Sequence, residues 1–202
     1  MVFHAELDKK GSVVLENLKF ETVIEKGIYI YGCTKAILKD IQIKEGRNCI
    51  YYCGLSLERI DDISIRNLDL RDSHQALSIS QSKGLIEDSK IVRNTRPVLF
   101  TADGGGLRVS ESELTSRNLE LMENKAMGSG GGFYCSNSTL TMFGGKIHKN
   151  VAVKAGGAGE CVKDCKFSML GVDISSNTQT DPSNCKGIPN LLKRIENQEI
   201  SK

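Results

Sequence analysis

The sequence lacks tryptophan and has few other aromatic residues, which make up 5% of its 202 residues. Because apolar residues still reach 39%, any buried core must be mostly aliphatic. The scarcity of rings also argues against a sugar-binding surface lined with aromatic side chains. Basic and acidic residues nearly balance, 27 against 25, and no basic run occurs. A phosphate-tracking protein needs a clustered basic face, so we expect no nucleic-acid partner.

Long apolar runs are also missing. No window approaches the ~20 residues that a membrane-spanning helix needs, so we expect no membrane span in this chain. The first residues, Met1 to Lys9, contain no hydrophobic region of a signal peptide. If the chain is complete, a cytoplasmic location follows. If it is a segment of a larger protein, we expect an extracellular or cell-surface location.

Two motifs recur with one period. Three glycine-rich triplets are centred on Gly105, Gly131 and Gly157, at steps of 26 residues. A second motif, apolar-x-x-Asn, ends at Asn124, Asn150 and Asn177, at steps of 26 and 27 residues. Two independent motifs with a shared period indicate an internal repeat, and a repeat of this length is typical of solenoids and propellers.

The rest of the chain consists of short β-favouring runs of about three to five residues with alternating apolar positions. Two-residue hairpin signals are nearly absent, Asp103-Gly104 being the one Asp-Gly. These features favour a coil with about three strands per turn, each pairing in parallel with its equivalent one coil later. About seven coils at ~4.8 Å make a rod roughly 30 Å long. Coil starts are predicted near Val13, Ile28, Ile50, Ala76, Gly106, Gly132 and Ala158.

The predicted fold is therefore all-β, a single-stranded right-handed parallel β-helix, or β-solenoid, over residues 1–177. It is most regular over residues 104–177, and the right-handed rule for parallel crossovers sets its hand. Residues 178–202 are interpreted as a loop with Asp181-Pro182 and Pro189, followed by a short capping helix or tail.

The repeated residues have predictable structural roles. Glycine at each triplet is expected to adopt φ > 0 at a corner. The asparagines are expected to adopt the left-handed conformation and to bond turn amides as a stacked ladder. Cys135 and Cys161 stand 26 residues apart and would stack within reach of a disulfide, with an unbridged cysteine stack as the alternative. The spacing of the seven cysteines does not fit paired zinc knuckles, so we expect no metal and no cofactor.

The candidates for catalysis are Asp61, Asp62 and His74. Two carboxylates can act as general acid and base in glycoside cleavage, with the histidine assisting. The simpler interpretation is that Asp61-Asp62 forms a turn between Ile60 and Ile63. Under that interpretation the chain has no catalytic residues.

The pairing of the two motifs resembles the chlamydial polymorphic outer membrane protein repeat, in which GGAI-type and FxxN-type tetrapeptides alternate. The resemblance covers residues 104–177, and isoleucine or leucine replaces the phenylalanine. It implies a right-handed parallel β-helix of the pectin-lyase-like type on a cell surface, used in adhesion or host contact. The matching segments are Gly131-Gly132-Phe133, Gly156-Gly157-Ala158-Gly159, Leu121–Asn124, Ile147–Asn150 and Ile174–Asn177.

The expected function is a non-enzymatic β-solenoid segment of a larger surface or secreted protein that binds a cell-surface protein or a glycan. The alternative is a carbohydrate-active polysaccharide lyase or glycoside hydrolase, because the same architecture is found in pectate lyases and polygalacturonases. Resemblance to polygalacturonases would require their Asn-Thr-Asp and Arg-x-Lys motifs. The sequence contains neither.

Overall fold

The structure, a computed structural model, describes residues 3–6, 11–21, 27–44, 54–74, 76–96 and 103–180. Within these ranges all regular secondary structure is β-strand, and every strand pair is parallel. Twenty strands form three sheets, because each coil contributes in turn to one sheet after another. The predicted parallel β-helix with three strands per turn is confirmed.

The first sheet has one four-residue strand from each coil, so its seven strands span six complete turns. In spatial order the strands are β1 (Phe3–Glu6), β3 (Ile28–Tyr31), β5 (Leu55–Glu58), β7 (Leu77–Ser80), β11 (Leu107–Ser110), β14 (Phe133–Ser136) and β17 (Gly159–Val162).

The second sheet has the longest strands, of up to ten residues, where the sequence predicted pairs of shorter ones. It comprises β2 (Ser12–Phe20), β4 (Lys35–Lys44), β6 (Asp62–Arg71), β8 (Lys83–Glu87), β9 (Lys90–Val92), β12 (Glu113–Met122), β15 (Thr139–His148), β18 (Lys166–Leu170) and β19 (Asp173–Ser175). The third sheet has two-residue strands, β10 (Thr95–Arg96), β13 (Lys125–Ala126), β16 (Val151–Ala152) and β20 (Thr178–Gln179).

The core is a stack of aliphatic side chains enclosed by the sheets. Strand alternation sends every second residue inward, and register aligns these residues into columns. One column of the first sheet runs Ala5, Ile30, Leu57, Ile79, Val109, Cys135 and Cys161. Its members from Ile30 to Cys135 are at most 1% exposed.

Each corner of the coil contains one residue in the left-handed conformation. Between the first and second sheets these residues are Gly32, Arg59, Gln81, Glu111, Asn137 and Lys163. Within the second sheet they are Asn17, Asp40, Asn67, Asp88, Asn118, Gly144 and Gly171. Beyond the second sheet they are Asp72, Arg93, Glu123, Lys149 and Ser176. The turns predicted within the first half of the chain are therefore bends inside the second sheet.

Two details of the predicted corners are wrong. In apolar-x-x-Asn the left-handed residue is the one before the asparagine, such as Glu123 (φ 56°) or Lys149 (φ 53°). The turn made there points the following asparagine side chain into the coil, where it reaches backbone groups of its neighbours. In addition, the glycine with φ > 0 is the first of each triplet, as at Gly130 (φ 70°), and not the central one.

The observed boundaries differ from the predicted ones at both ends. Val13 lies in the second sheet, since the first coil starts with β1. The third coil starts in the described residues at Leu55, and Ile50 lies outside them. Strand β20 continues the last coil past the boundary predicted at residue 177, as far as Gln179. The predicted C-terminal helix falls in 181–202, outside the described residues.

Candidate functional site

The central glycines of the triplets lie where neighbouring coils approach each other most closely. A Cβ on Gly105 would lie 2.5 Å from the carbonyl oxygen of Gly131, and one on Gly131 would lie 2.5 Å from that of Gly157. A Cβ on Gly157 would overlap Thr178. The triplets are therefore conserved in position along the repeat because backbone from the next coil fills the space of a side chain.

The asparagines form a ladder along the inside of one corner. The backbone N–H of Asn124 donates to Oδ1 of Asn150 at 2.9 Å, and that of Asn150 donates to Oδ1 of Asn177 at 2.9 Å. Each side-chain amide donates in turn to a carbonyl of the preceding coil, as from Asn150 to Leu121 at 2.8 Å. The ladder thus satisfies backbone groups that the turn leaves without a sheet partner.

The ladder has a fourth asparagine, Asn94, that the sequence analysis missed. Its backbone N–H donates to Oδ1 of Asn124 at 3.0 Å, and its own Oδ1 accepts from the N–H of Ser73 at 3.0 Å. The signal was present, because Ile91 precedes Asn94 in the same apolar-x-x-Asn pattern. It escaped the period because Asn94 stands 30 residues before Asn124 and not 26.

A second ladder, of serines, lies at the corner between the first and second sheets. The N–H of Ser82 donates to Oγ of Ser112 at 3.1 Å, and the N–H of Ser112 donates to Oγ of Ser138 at 3.0 Å. Each of these hydroxyls also donates to a carbonyl two residues earlier at 2.7 Å. The serines are at most 7% exposed, so the corner is closed to solvent on its inner side.

In the last described coil, cysteine replaces serine at this corner and meets two more cysteines. Cys135 and Cys161 are register partners in β14 and β17, and Cys165 directly precedes β18. The three Sγ atoms all lie within 4.8 Å of one another, and those of Cys135 and Cys165 are 2.7 Å apart. All three are free thiols, so the disulfide predicted between Cys135 and Cys161 is not formed in the structure.

The position of Cys165 follows from one additional residue in the corner. Three residues separate β17 from β18, where two separate β14 from β15. The additional residue lies in the segment from Lys163 to Cys165, as the sequence indicated at Lys163-Asp164. It lets Cys165 turn toward Cys135, and a period of 26 residues alone does not reveal this contact.

The thiols influence one another's protonation. Hydrogen bonding with Cys135, and then with Cys161, lowers the pKa of Cys165 to about 4. A backbone hydrogen bond from Ser138 acts in the same direction. Hydrogen bonding with Cys135 and Cys165, together with burial, raises the pKa of Cys161. The arrangement can hold a thiolate beside two protonated thiols, and soft metal ions and disulfide exchange both use thiolate sulfur.

The structure does not bring the candidate catalytic residues together. Asp61 and Asp62 are exposed at the start of β6, where Asp62 forms an ion pair of 2.8 Å with Lys35. His74 lies beyond the other end of β6, in a bridge with Thr95. The bend at Asn67 separates the two ends.

A shallow groove of about 580 Å³ follows the corner between the first and second sheets. Asp61 lines it at one end and Asp164 at the other, with Glu111 and Glu113 between them. Lys83, which also lines the groove, pairs with Glu113 at 3.0 Å. His74 and Asp62 are not among the lining residues, so the groove does not assemble the predicted acid–base group.

The outer face of the first sheet carries the three tyrosines of the described residues, Tyr29, Tyr31 and Tyr134. The guanidinium of Arg59 lies 5.3 Å from the ring centroid of Tyr31, and that of Arg108 lies 5.7 Å from the ring centroid of Tyr134. Burial, followed by the nearby charge of Asp103, raises the pKa of the Tyr134 phenol. Small serines fill the positions between, at Ser56, Ser78, Ser80, Ser110 and Ser136.

The outer face of the second sheet is different, because its charged residues pair with each other from coil to coil. Five ion pairs of 2.8 to 3.7 Å connect neighbouring coils. They join Lys35 to Asp62, Arg66 to Asp88, Lys83 to Glu113, Lys90 to Glu120 and Arg117 to Glu87. Such exposed pairs contribute little stability each and leave a solvated surface.

The chain matches the family model described as "Right handed beta helix region" over residues 5–186. This match covers most of the sequence, so the chain belongs to the right-handed β-helix family, and the hand of the coil is right-handed. Neither a curated protein nor a solved structure matches the chain. Within the described ranges, no helix has the length and hydrophobicity needed to cross a membrane.

Proposed function

We propose that this chain is a non-enzymatic β-solenoid scaffold, a segment of a surface or secreted protein, that binds a protein or a glycan through the outer face of its first sheet. The observation that carries the proposal is the placement of tyrosine, arginine and serine on that single face. Tyrosine and arginine are enriched in binding surfaces because they supply large contact areas together with hydrogen-bonding groups. Serine between them leaves room for a partner to approach.

The geometry of the sheet supports the same function. Seven parallel strands at ~4.8 Å spacing form a flat wall roughly 29 Å long. Arg108 and Tyr134 lie near its middle and are held against each other. Side chains fixed in this way lose little conformational entropy on binding. The resemblance of residues 104–177 to repeats of chlamydial surface proteins adds support for adhesion as the biological role.

Two paired variants test the binding face. Arg108→Ser with Tyr134→Ser removes the stacked pair and leaves serine, which the sheet already accommodates at neighbouring positions. Arg117→Ser with Phe143→Ser is the matched control, because these exposed residues are register partners on the outer face of the second sheet. Binding of the labelled chain to a glycan array and to intact source cells is measured for each.

We expect the first-sheet variant to weaken binding by about tenfold or more, and the control variant to bind as the unchanged chain does. Equal binding by all three proteins, or loss in the control alone, would contradict the proposal. The location is tested separately by an antibody blot of fractionated source cells. A band in the membrane or secreted fraction supports the surface role, and a soluble cytosolic band near 22.1 kDa contradicts it.

The alternative of carbohydrate cleavage is tested directly with Asp62→Asn. We expect no cleavage of polysaccharide by either the unchanged chain or the variant, because Asp62 is paired with Lys35 and lies at the far end of β6 from His74. Cleavage by the unchanged chain that Asp62→Asn abolishes would replace the scaffold function with the enzymatic one.

A further inference from the structure

The three-cysteine cluster, Cys135, Cys161 and Cys165, lies where the last described coil joins the one before it. Cys135 is 0% exposed and continues the aliphatic column that includes Ile79 and Val109. Cys161 and Cys165 are half-buried. Three thiols thus converge from two coils at one corner of the interior, where the preceding coils have serine or aliphatic side chains.

The separations of the sulfur atoms match the span of a single bound cation. With metal–sulfur bonds of about 2.3 Å, two sulfurs on one trigonal or tetrahedral ion lie about 3.8–4.0 Å apart. In the cluster the Cys135–Cys165 separation of 2.7 Å is shorter than this, and no pair exceeds 4.8 Å. Small rotations of the side chains would equalise the separations, and the three-residue turn that contains Cys165 gives it room to move.

The donor set decides which ions fit. Thiolate sulfur is a soft ligand that selects zinc and copper(I) over magnesium and calcium, which require oxygen ligands. Of these soft ions Zn²⁺ has no redox chemistry and no geometric preference of its own, so it accepts three sulfurs and a further ligand. A site made from two coils would also fix their register, as structural zinc sites do.

We propose that Cys135, Cys161 and Cys165 form a thiolate site for a soft d¹⁰ metal ion, Zn²⁺ in the first instance, which ties the last described coil to its neighbour. The site is independent of the binding face on the first sheet, because these side chains point inward and that face points outward. Its chemistry requires only that thiol protons leave as the ion binds, so metal uptake releases protons.

The test uses the full chain, reduced, freed of metal and kept anaerobic. Metal content is measured after equilibration with Zn²⁺, and binding of Co²⁺ is followed by its thiolate charge-transfer absorption. We expect one ion per chain, a sulfur-to-cobalt band and a rise in Tm of about 5–10 °C at saturating Zn²⁺. Since even loss of an outer-shell partner costs 10–100-fold, Cys161→Ser and Cys165→Ser should each weaken binding by more than about 100-fold.

Cys33→Ser is the matched control. Cys33 is also buried at the corner between the first and second sheets, five coils away, and its Sγ contacts the carbonyl of Lys35 at 3.4 Å, which a serine hydroxyl can replace. This variant should bind Zn²⁺ as the unchanged chain does. Circular dichroism of each metal-free variant shows whether it still folds.

Two results would overturn the site. One is Zn²⁺ affinity that neither Cys161→Ser nor Cys165→Ser changes, which would place the ion elsewhere. The other is a chain that takes up no Zn²⁺ when reduced and that is isolated with a Cys135–Cys165 disulfide. That bond forms when both thiols lose their protons and two electrons pass to an oxidant such as oxygen or a disulfide, and mass spectrometry after alkylation detects it.

Discussion

Removal of one amide from the asparagine ladder should cost a large part of the stability of the coil. The side chain of Asn150 makes four hydrogen bonds: its Oδ1 accepts from the N–H and the amide of Asn124, and its amide donates to Leu121 and Asn177. Asn150 and Asn124 are both 0% exposed, so water does not replace a lost partner. The change Asn150→Ala removes all four bonds at once.

The magnitude follows from the groups that are left behind. In Asn150→Ala the N–H of Asn124 and the carbonyl of Leu121 lose a partner inside a dry corner. A buried backbone group without a partner costs about 1–3 kcal/mol, so the two together cost about 2–6 kcal/mol. Domains have a free energy of unfolding of about 5–15 kcal/mol, so this single change should bring the coil near its limit.

The assay is urea unfolding at 25 °C, followed by circular dichroism and by tyrosine fluorescence so that coincident curves show a single transition. The control is Asn118→Gly. It removes an exposed bond of 3.1 Å to Asp88 and keeps the left-handed backbone, which Gly144 also adopts one coil later. We expect it to change the free energy of unfolding by less than about 0.5 kcal/mol. A cost for Asn150→Ala no larger than that of the control would refute the role of the ladder.

The isosteric change Asn150→Asp adds a test by pH. Its carboxylate would face the carbonyl oxygen of Leu121 and Oδ1 of Asn177, which accept hydrogen bonds and repel negative charge. Burial and this repulsion raise the pKa of the new carboxyl in the folded state. A raised folded pKa means that stability is greatest below the unfolded pKa of about 3.9 and falls as pH rises above it. Stability of Asn150→Asp that is independent of pH between 4 and 7 would contradict this reasoning.

Two further predictions concern single side chains in the second sheet. Ser116 Oγ is buried without a hydrogen-bond partner, so Ser116→Ala should leave stability unchanged or raise it by about 1 kcal/mol, whereas Ser112→Ala should lower it by about 1–3 kcal/mol because it breaks the serine ladder; urea unfolding that gives both changes the same sign would contradict this. A Cβ on Gly145 would overlap the backbone of the preceding coil, while one on Gly171 meets nothing within 4 Å. Both have φ > 0, so Gly171→Ala should cost only about 1–2 kcal/mol and Gly145→Ala should cost more by about 1–3 kcal/mol, and equal Tm values would refute the steric argument.

The regular part of the fold could be predicted because its signals are residues with one physical role. Gly131 and Gly157 lack a side chain where the next coil passes, and Asn150 and Asn177 satisfy turn amides, so both motifs recur at the step of the coil. The register of Cys135 with Cys161 follows from the same step. What the motifs could not supply is which residue adopts φ > 0, because Lys149 and Ser176 do so without any preference for it.

The cysteine cluster and the tyrosine face were harder to predict, because neither is periodic. Cys165 reaches Cys135 through one additional residue at a corner, so counting residues places it one position out of register. Tyr29 and Tyr134 have no counterparts in the coils between them, where the same positions are Ser56, Ser78 and Arg108. A face of this kind becomes visible only when the register of each strand is known.

The irregular half of the chain shows why the period itself was hidden. From the start of a first-sheet strand to the start of the next second-sheet strand there are always six or seven residues, as from Leu55 to Asp62 or from Leu107 to Glu113. The variation lies in the return to the first sheet, which takes 6 residues from Arg71 to Leu77 but 15 from Val92 to Leu107. Sheets one and two must keep their lengths because their inward residues fill a shared core, whereas the return segment can lengthen without disturbing the columns. Coil steps of 22 to 30 residues therefore preserve the same interior, and a search for one fixed period finds only the coils whose return segments happen to be equal.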